Sequence, residues 1–196
     1  MSILVGLTGG MGSGKSLAAK FFAEQGAYII SRELVRPGHP ALKEIVDAFG
    51  EDILEPSGNL DREALAKIIF DDTENKSALE AILHPKVIVR EQEKYLSISA
   101  SNPSAIVIVD AALLIESGNY KNVDKVIVVQ SREEQQIQRI LSRGFQSYDQ
   151  AIARIKNQMS FEEKSKYADY ILDNQSQAED LRQKVQEIYA KLLNIQ

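Results

Sequence analysis

Gly9-Gly10-Met11-Gly12-Ser13-Gly14-Lys15-Ser16 is a complete G-x-x-x-x-G-K-[ST] phosphate-binding loop, and its flanks decide the fold. The apolar run Ile3-Leu4-Val5-Gly6-Leu7 before it reads as a buried strand. Leu17-Ala18-Ala19-Lys20-Phe21-Phe22-Ala23-Glu24 after it reads as a helix. A strand, a glycine loop and a helix N-terminus form an anion cradle, because successive N–H groups and the helix dipole converge on one point. Gly12 and Gly14 let the backbone approach phosphates with no Cβ between. Lys15 would reach the β- and γ-phosphates, and the Ser16 hydroxyl would ligate Mg²⁺. Without those flanks the octapeptide would be a glycine-rich turn beside a lysine. With them it predicts a site for a nucleoside triphosphate, lined by Gly10, Met11, Gly12, Ser13, Gly14, Lys15, Ser16 and, through its backbone, Leu17.

Outward from the loop, short β-branched runs alternate with amphipathic stretches. Residues 27–30, 105–110, 125–129 and, more weakly, 169–172 read as further strands. Near-continuous apolar strands of this length are buried on both faces, which means a parallel sheet covered by helices. Residues 132–142 and 147–158 read as helices, and Leu181, Val185, Ile188 and Leu192 mark a single-faced C-terminal one. The expectation is a doubly wound α/β fold in one domain over 1–196, with ligands at the carboxyl ends of the strands. Residues 37–104 form a mostly helical insert, punctuated at Pro37-Gly38, Pro56-Ser57-Gly58 and His84-Pro85.

Composition narrows the function classes. The 196 residues are 44% hydrophobic and 26% charged, an ordinary soluble globular balance. A net charge of −5 argues against a nucleic-acid binder. The absence of cysteine removes disulfides and thiolate metal sites and suits a reducing compartment. No apolar run approaches the ~20 residues of a membrane span. Cytoplasmic is therefore the expected location, and the oligomeric state stays open.

Four further groups of residues invite a chemical reading. Asp110 ends the strand Val107-Ile108-Val109-Asp110, where an acid faces the loop and could touch a Mg²⁺-bound water or an acceptor hydroxyl; it could equally cap a following helix. Arg139 and Arg143, four apart, share a helix face, with Arg154 beyond a Gly144-Phe145 break. Guanidinium groups on such a helical pair would neutralise a transferring phosphoryl group, as a lid does; a solvated face is the plainer reading. His84 reads as a turn or cap residue and His39 has less claim still. Tyr167 and Tyr170 read as half-buried packing groups.

With these residues laid out, the chain resembles the dephospho-coenzyme A kinase family nearly end to end. The resemblance rests on Gly6-Leu7-Thr8-Gly9-Gly10-Met11-Gly12-Ser13-Gly14-Lys15-Ser16, on Gly58-Asn59-Leu60-Asp61-Arg62 with Ile69-Phe70, and on Leu79-Glu80-Ala81-Ile82-Leu83-His84-Pro85. Leu113-Leu114-Ile115-Glu116-Ser117-Gly118, Gln138-Arg139 with Arg143, Arg154-Ile155 with Gln158-Met159, and Ala168-Asp169 with Asp173-Asn174 complete it. It implies ATP-dependent phosphorylation of the ribose 3′-hydroxyl of dephospho-CoA on a P-loop kinase fold. ATP, Mg²⁺ and the small-molecule acceptor are the implied ligands, with neither nucleic acid nor membrane as partner. By the resemblance Lys15, Arg139 and Asp110 are catalytic, Arg143 joins the ATP site, Ser16 holds the metal, and 139–160 is the lid. The insert then grips the acceptor, with Arg62, His84 and Leu113 on the substrate side.

The family usually places Asp-x-Asp-x-x-Ala-Arg after its second strand. Here Ser31-Arg32 follows Ile30 directly, and about five residues with both acids are absent. Either a stretch is missing from the chain as given or the deletion is genuine. A strand running straight into a helix is awkward for a parallel βα unit, which favours the first. Leu17 and Gly144 stand where the family often has Thr and an Asp or Asn. Another P-loop nucleotide kinase would share the loop and arginines but lacks reason for Leu60-Asp61-Arg62 and His84-Pro85. A GTPase would want Asn-Lys-x-Asp, which Asn75-Lys76-Ser77-Ala78 is not, and Asp47-Ala48-Phe49-Gly50 sits in a helical pattern. A binding-only paralogue is the third alternative.

Overall fold

A computed structural model describes residues 1–31, 37–70, 72–142, 144 and 147–195. Its elements are β1 (Ile3–Gly9), α1 (Lys15–Glu24), β2 (Tyr28–Ser31), α2 (Pro40–Phe49), α3 (Arg62–Phe70), α4 (Thr73–Ser101), β3 (Ile106–Asp110), β4 (Lys125–Gln130), α5 (Glu133–Leu141), α6 (Tyr148–Lys156), α7 (Phe161–Ser165), β5 (Tyr170–Asp173) and α8 (Ala178–Leu193). All five expected strands are present within a residue or two. The chain divides into two compact units, one of Met1–Ser31 with Lys94–Gln196 and one of Arg32–Glu93.

The first unit is built on a five-stranded parallel sheet in the order β2-β3-β1-β4-β5. Side chains on a strand alternate between faces, and here both faces are apolar. On one, Ile106 and Ile108 of β3 and Ile127 and Val129 of β4 join Val5 and Leu7 beneath α1 and α8. On the other, Val109, Val126 and Val128 pack with Leu114, Ile115, Met159 and Phe161. That is why the strand sequences read as unbroken hydrophobic runs. The α8 residues Leu181, Val185, Ile188 and Leu192 are all buried, as their spacing requires. At the entry to β5, the Asp169 carboxylate accepts from Val126 N–H and Lys125 Nζ, both at 2.8 Å. Its hydrogen bond and charge hold the Lys125 ammonium above the ordinary lysine range.

The second unit is helical, with Ile45, Ile53, Leu65 and Leu79 at its centre. The insert was expected to run to residue 104, but the compact unit ends at Glu93. The last turns of α4 belong with the sheet because Tyr95 and Ile98 pack on Ile30, Ala105 and Val107. His84-Pro85 does not punctuate the chain either: both lie inside α4, a 29-residue helix. Proline there removes one N–H, and burial of Leu79 and Val87 on either side keeps the helix going. His39 is the N-cap of α2, its Nδ1 accepting from Ala41 N–H at 3.3 Å. Asp47 to Phe49 end α2, so the formal Asp-x-x-Gly is no switch loop. Among the described residues no helix is long and apolar enough to cross a membrane.

Phe22 of α1 is fully buried in the cluster that fastens α1 and α8 to the sheet. Phe22→Ala is expected to lower the unfolding free energy by about 3–5 kcal/mol, read as a lower urea midpoint at unchanged m-value.

Candidate active site

The loop leaves β1 and turns back on itself, with Ser13 N–H donating to the Gly10 carbonyl at 3.0 Å. Gly12 and Gly14 take φ of +78° and +95°, the left-handed region that side chains disfavour. Their lack of a Cβ matters to the protein as well as to a ligand. A Cβ at Gly12 would lie 2.6 Å from the Gln136 carbonyl oxygen, and one at Gly14 would lie 2.0 Å from Asn174 Nδ2. Helix α5 and the turn after β5 therefore press directly on the loop. Gly14 is the N-cap of α1, and no side chain caps that end or places an acid in its first turn. The Leu17 N–H already donates to the Gly14 carbonyl at 3.0 Å, so the N–H groups ahead of it and the positive end of the dipole are left for an anion.

Asp110 closes β3 in register with Leu7 of β1 and Ser31 of β2. Its carboxylate forms an ion pair with Lys15 Nζ, and both side chains are largely buried. The stretch after Asp110 is a series of turns rather than a helix, which removes the capping alternative. That stretch is pinned from below, since the Ala112 carbonyl accepts from Thr8 Oγ1 at 3.0 Å and from Lys164 Nζ at 2.8 Å. Lys164 is only 1% exposed and also meets Glu116 at 2.8 Å. A buried ammonium needs such partners. In the sequence Lys164 sits in Phe161-Glu162-Glu163-Lys164, which looks like any solvated helix start, so nothing marks it.

The arginines divide. Arg139 was expected on a lid, yet it lies in the last turn of α5 against the loop's outer wall. Its Nη1 donates to the Gly12 and Ser13 carbonyls at 3.1 and 3.2 Å, and Nη2 to the Asn174 carbonyl at 3.3 Å. Arg143 lies outside the described residues, and Arg154 is on α6. Helix α6 packs on α5 through Ala151, with Ile137, Ile140 and Met11 in the same cluster. Gln158 then accepts the Met11 N–H at 2.8 Å. Leu113 is half-buried just beyond Asp110. Arg62 and His84 belong to the other unit, and the Arg62 side chain is outside the described part. The Ser13 hydroxyl is buried against the bare Cα of Gly9, with no hydrogen-bond partner among the described residues.

A loop, a lysine–aspartate pair and an arginine on one parallel sheet are shared by many phosphotransferases, so relatives decide the family. The family model for dephospho-CoA kinase matches residues 3–180. The chain belongs to the dephospho-CoA kinase family. The dephospho-CoA kinase of Aquifex aeolicus (strain VF5) is 40% identical over 193 residues, covering 96% of each chain. That of Geobacter sulfurreducens is 39% identical over 193 residues, covering 96% of this chain and 98% of the relative. Among solved structures, the dephospho-CoA kinase from Campylobacter jejuni superposes with a TM-score of 0.69 at 28% identity, over 99% of this chain and 98% of that one. A shikimate kinase from Acinetobacter baumannii, at 18% identity and TM-score 0.55 over 97% and 94%, shows the same fold.

Because Gly12 is wedged under Gln136 at positive φ, Gly12→Ala should weaken ATP binding at least about tenfold and lower stability by about 1–3 kcal/mol. Titration calorimetry and thermal unfolding on one preparation read both effects.

Proposed function

We propose that the protein transfers the γ-phosphoryl group of ATP to the ribose 3′-hydroxyl of dephospho-CoA, releasing CoA and ADP. The Lys15–Asp110 pair at the phosphate loop carries the phosphoryl-transfer part of this reading, and membership of the family supports the acceptor. Phosphoryl transfer asks chiefly for positioning and charge neutralisation. Lys15 exchanges Asp110 for the β- and γ-phosphate oxygens when ATP enters. The freed Asp110 carboxylate then faces the acceptor hydroxyl or the metal shell. Mg²⁺ fits the donors available: the exposed Ser16 hydroxyl and the Asp110 carboxylate are hard oxygens, and such a cation keeps waters and phosphate oxygens for its remaining positions. When bound, the cation supplies charge neutralisation across the phosphates. Arg139 adds a fixed positive charge behind the loop, while Arg143 is assigned to ATP and Leu113 to the acceptor.

The helical insert grips the acceptor through Arg62 and His84, and a lid drawn from the residues beyond Arg139, up to residue 160, closes over ATP. The setting is cytoplasmic, with a small-molecule acceptor.

A second reading is kept alive by one observation. Ser31 pairs in register with Asp110, so the family's usual acid segment would begin beside Asp110. Without it, Asp110 is the acid at this edge of the site among the described residues. A binding-only paralogue would hold ATP and turn nothing over.

Purified protein with ATP, Mg²⁺ and dephospho-CoA is expected to yield CoA by mass spectrometry, with intact mass read on the same sample. Conversion by a chain of the 196-residue mass would show that the reaction runs without the acid segment. ATP binding without turnover would establish the binding-only paralogue. Lys15→Ala is expected to lower kcat by about 10²-fold or more and also to lower the thermal midpoint, because Asp110 is left largely buried without its cation.

A further inference from the structure

The Asp173-Asn174 pair, which ends β5 and opens the turn beyond it, is a motif with no role in the site so far. Asn174 is 4% exposed, and its backbone is fixed by an N–H donated to the Gln130 carbonyl at 2.8 Å. Its Nδ2 donates to the Ser13 carbonyl at 2.8 Å, across 161 residues of chain. The same carbonyl takes Arg139 Nη1 at 3.2 Å, and Arg139 Nη2 returns to the Asn174 carbonyl at 3.3 Å. The three groups close a ring of hydrogen bonds against the loop. Nδ2 fills the space a Cβ at Gly14 would need, lying 2.0 Å from that position, so the contact requires glycine there.

A peptide group is planar and trans, so its N–H points opposite its C=O. Holding the Ser13 carbonyl toward Asn174 and Arg139 aims the Gly14 N–H away from them. That amide opens the run of donors continuing into the first turn of α1, the part of a glycine loop that meets phosphate oxygens. We propose that Asn174 is a positioning residue for ATP: with Arg139 it holds the peptide between Ser13 and Gly14 in its phosphate-binding orientation. Its chemistry is that of a neutral donor. An aspartate of the same shape could only accept, and would set a charged oxygen against the Ser13 carbonyl.

The inference rests on ATP as the phosphoryl donor, so binding and turnover are measured apart. Asn174→Ala, Asn174→Asp, Arg139→Ala and the Asn174→Ala/Arg139→Ala double variant are compared with wild type. The readouts are ATP affinity by titration calorimetry and KM for ATP and for dephospho-CoA. Stripping a buried carbonyl of one donor should weaken ATP about tenfold in Asn174→Ala, more in Asn174→Asp, with KM for dephospho-CoA unchanged. The double variant should fall short of the product of the singles, because both residues hold one carbonyl. Wild-type ATP affinity in Asn174→Ala, an equal rise in both KM values, or independent effects in the double variant would overturn the proposal. So would failure of both Asn174 variants to fold, which would make the residue a core prop. Should wild type bind ATP but not phosphorylate dephospho-CoA, the affinity series still decides the role of Asn174 while the activity reading fails.

Discussion

Parallel pairing of β1 with a neighbour on each side is the constraint on which the rest of the structure depends. Pairing with β3 sets Leu7 opposite Asp110, and pairing with β4 sets Gly9 opposite Val129. A strand buried on both faces and hydrogen-bonded at both edges cannot slip by one residue without turning its apolar side chains over. The loop that leaves β1 is therefore delivered to a fixed point at the carboxyl edge. Lys15 follows within the first turn of α1, and only this register brings it to Asp110.

The loop's rigidity is a second consequence. Glycine-rich backbone is entropically costly to order, and here the cost is offset by contacts from three distant stretches. Helix α5 supplies Gln136 and Arg139, the turn after β5 supplies Asn174, and the stretch after α6 supplies Gln158. Each contacts loop backbone, not a loop side chain. The glycines are thus held from outside as firmly as they are kept open inside, and a side chain at Gly12 or Gly14 would meet protein before it met any ligand.

The charged groups near the site are likewise placed by pairing. Lys164 is buried because the Ala112 carbonyl and the Glu116 carboxylate receive its ammonium, and through Ala112 it braces the segment beyond Asp110. Helix α7, which carries it, starts with a reciprocal cap between Ser160 and Glu163. The Ser160 backbone N–H bonded to the Glu163 carboxylate keeps that acid below the usual carboxylate range. A short helix is fixed at its first residue, and its lysine is carried inward.

Residues 9–16, the four further apolar runs and the 181–192 periodicity determined by themselves that this is a parallel, two-face-covered sheet with a phosphate loop on its first strand. Local pattern suffices for that, since strand burial and glycine spacing are properties of neighbouring residues. Strand order, the Lys15–Asp110 pair and the turn of Arg139 onto the loop were decided only in three dimensions. They depend on register between segments about a hundred residues apart, which no local spacing encodes. His84-Pro85 misled for the same reason: a proline reads as a stop, and only burial of Leu79 and Val87 on either side shows why α4 runs through it. Asn174 was visible as a motif and silent as a mechanism, because its meaning lies in one hydrogen bond to Ser13.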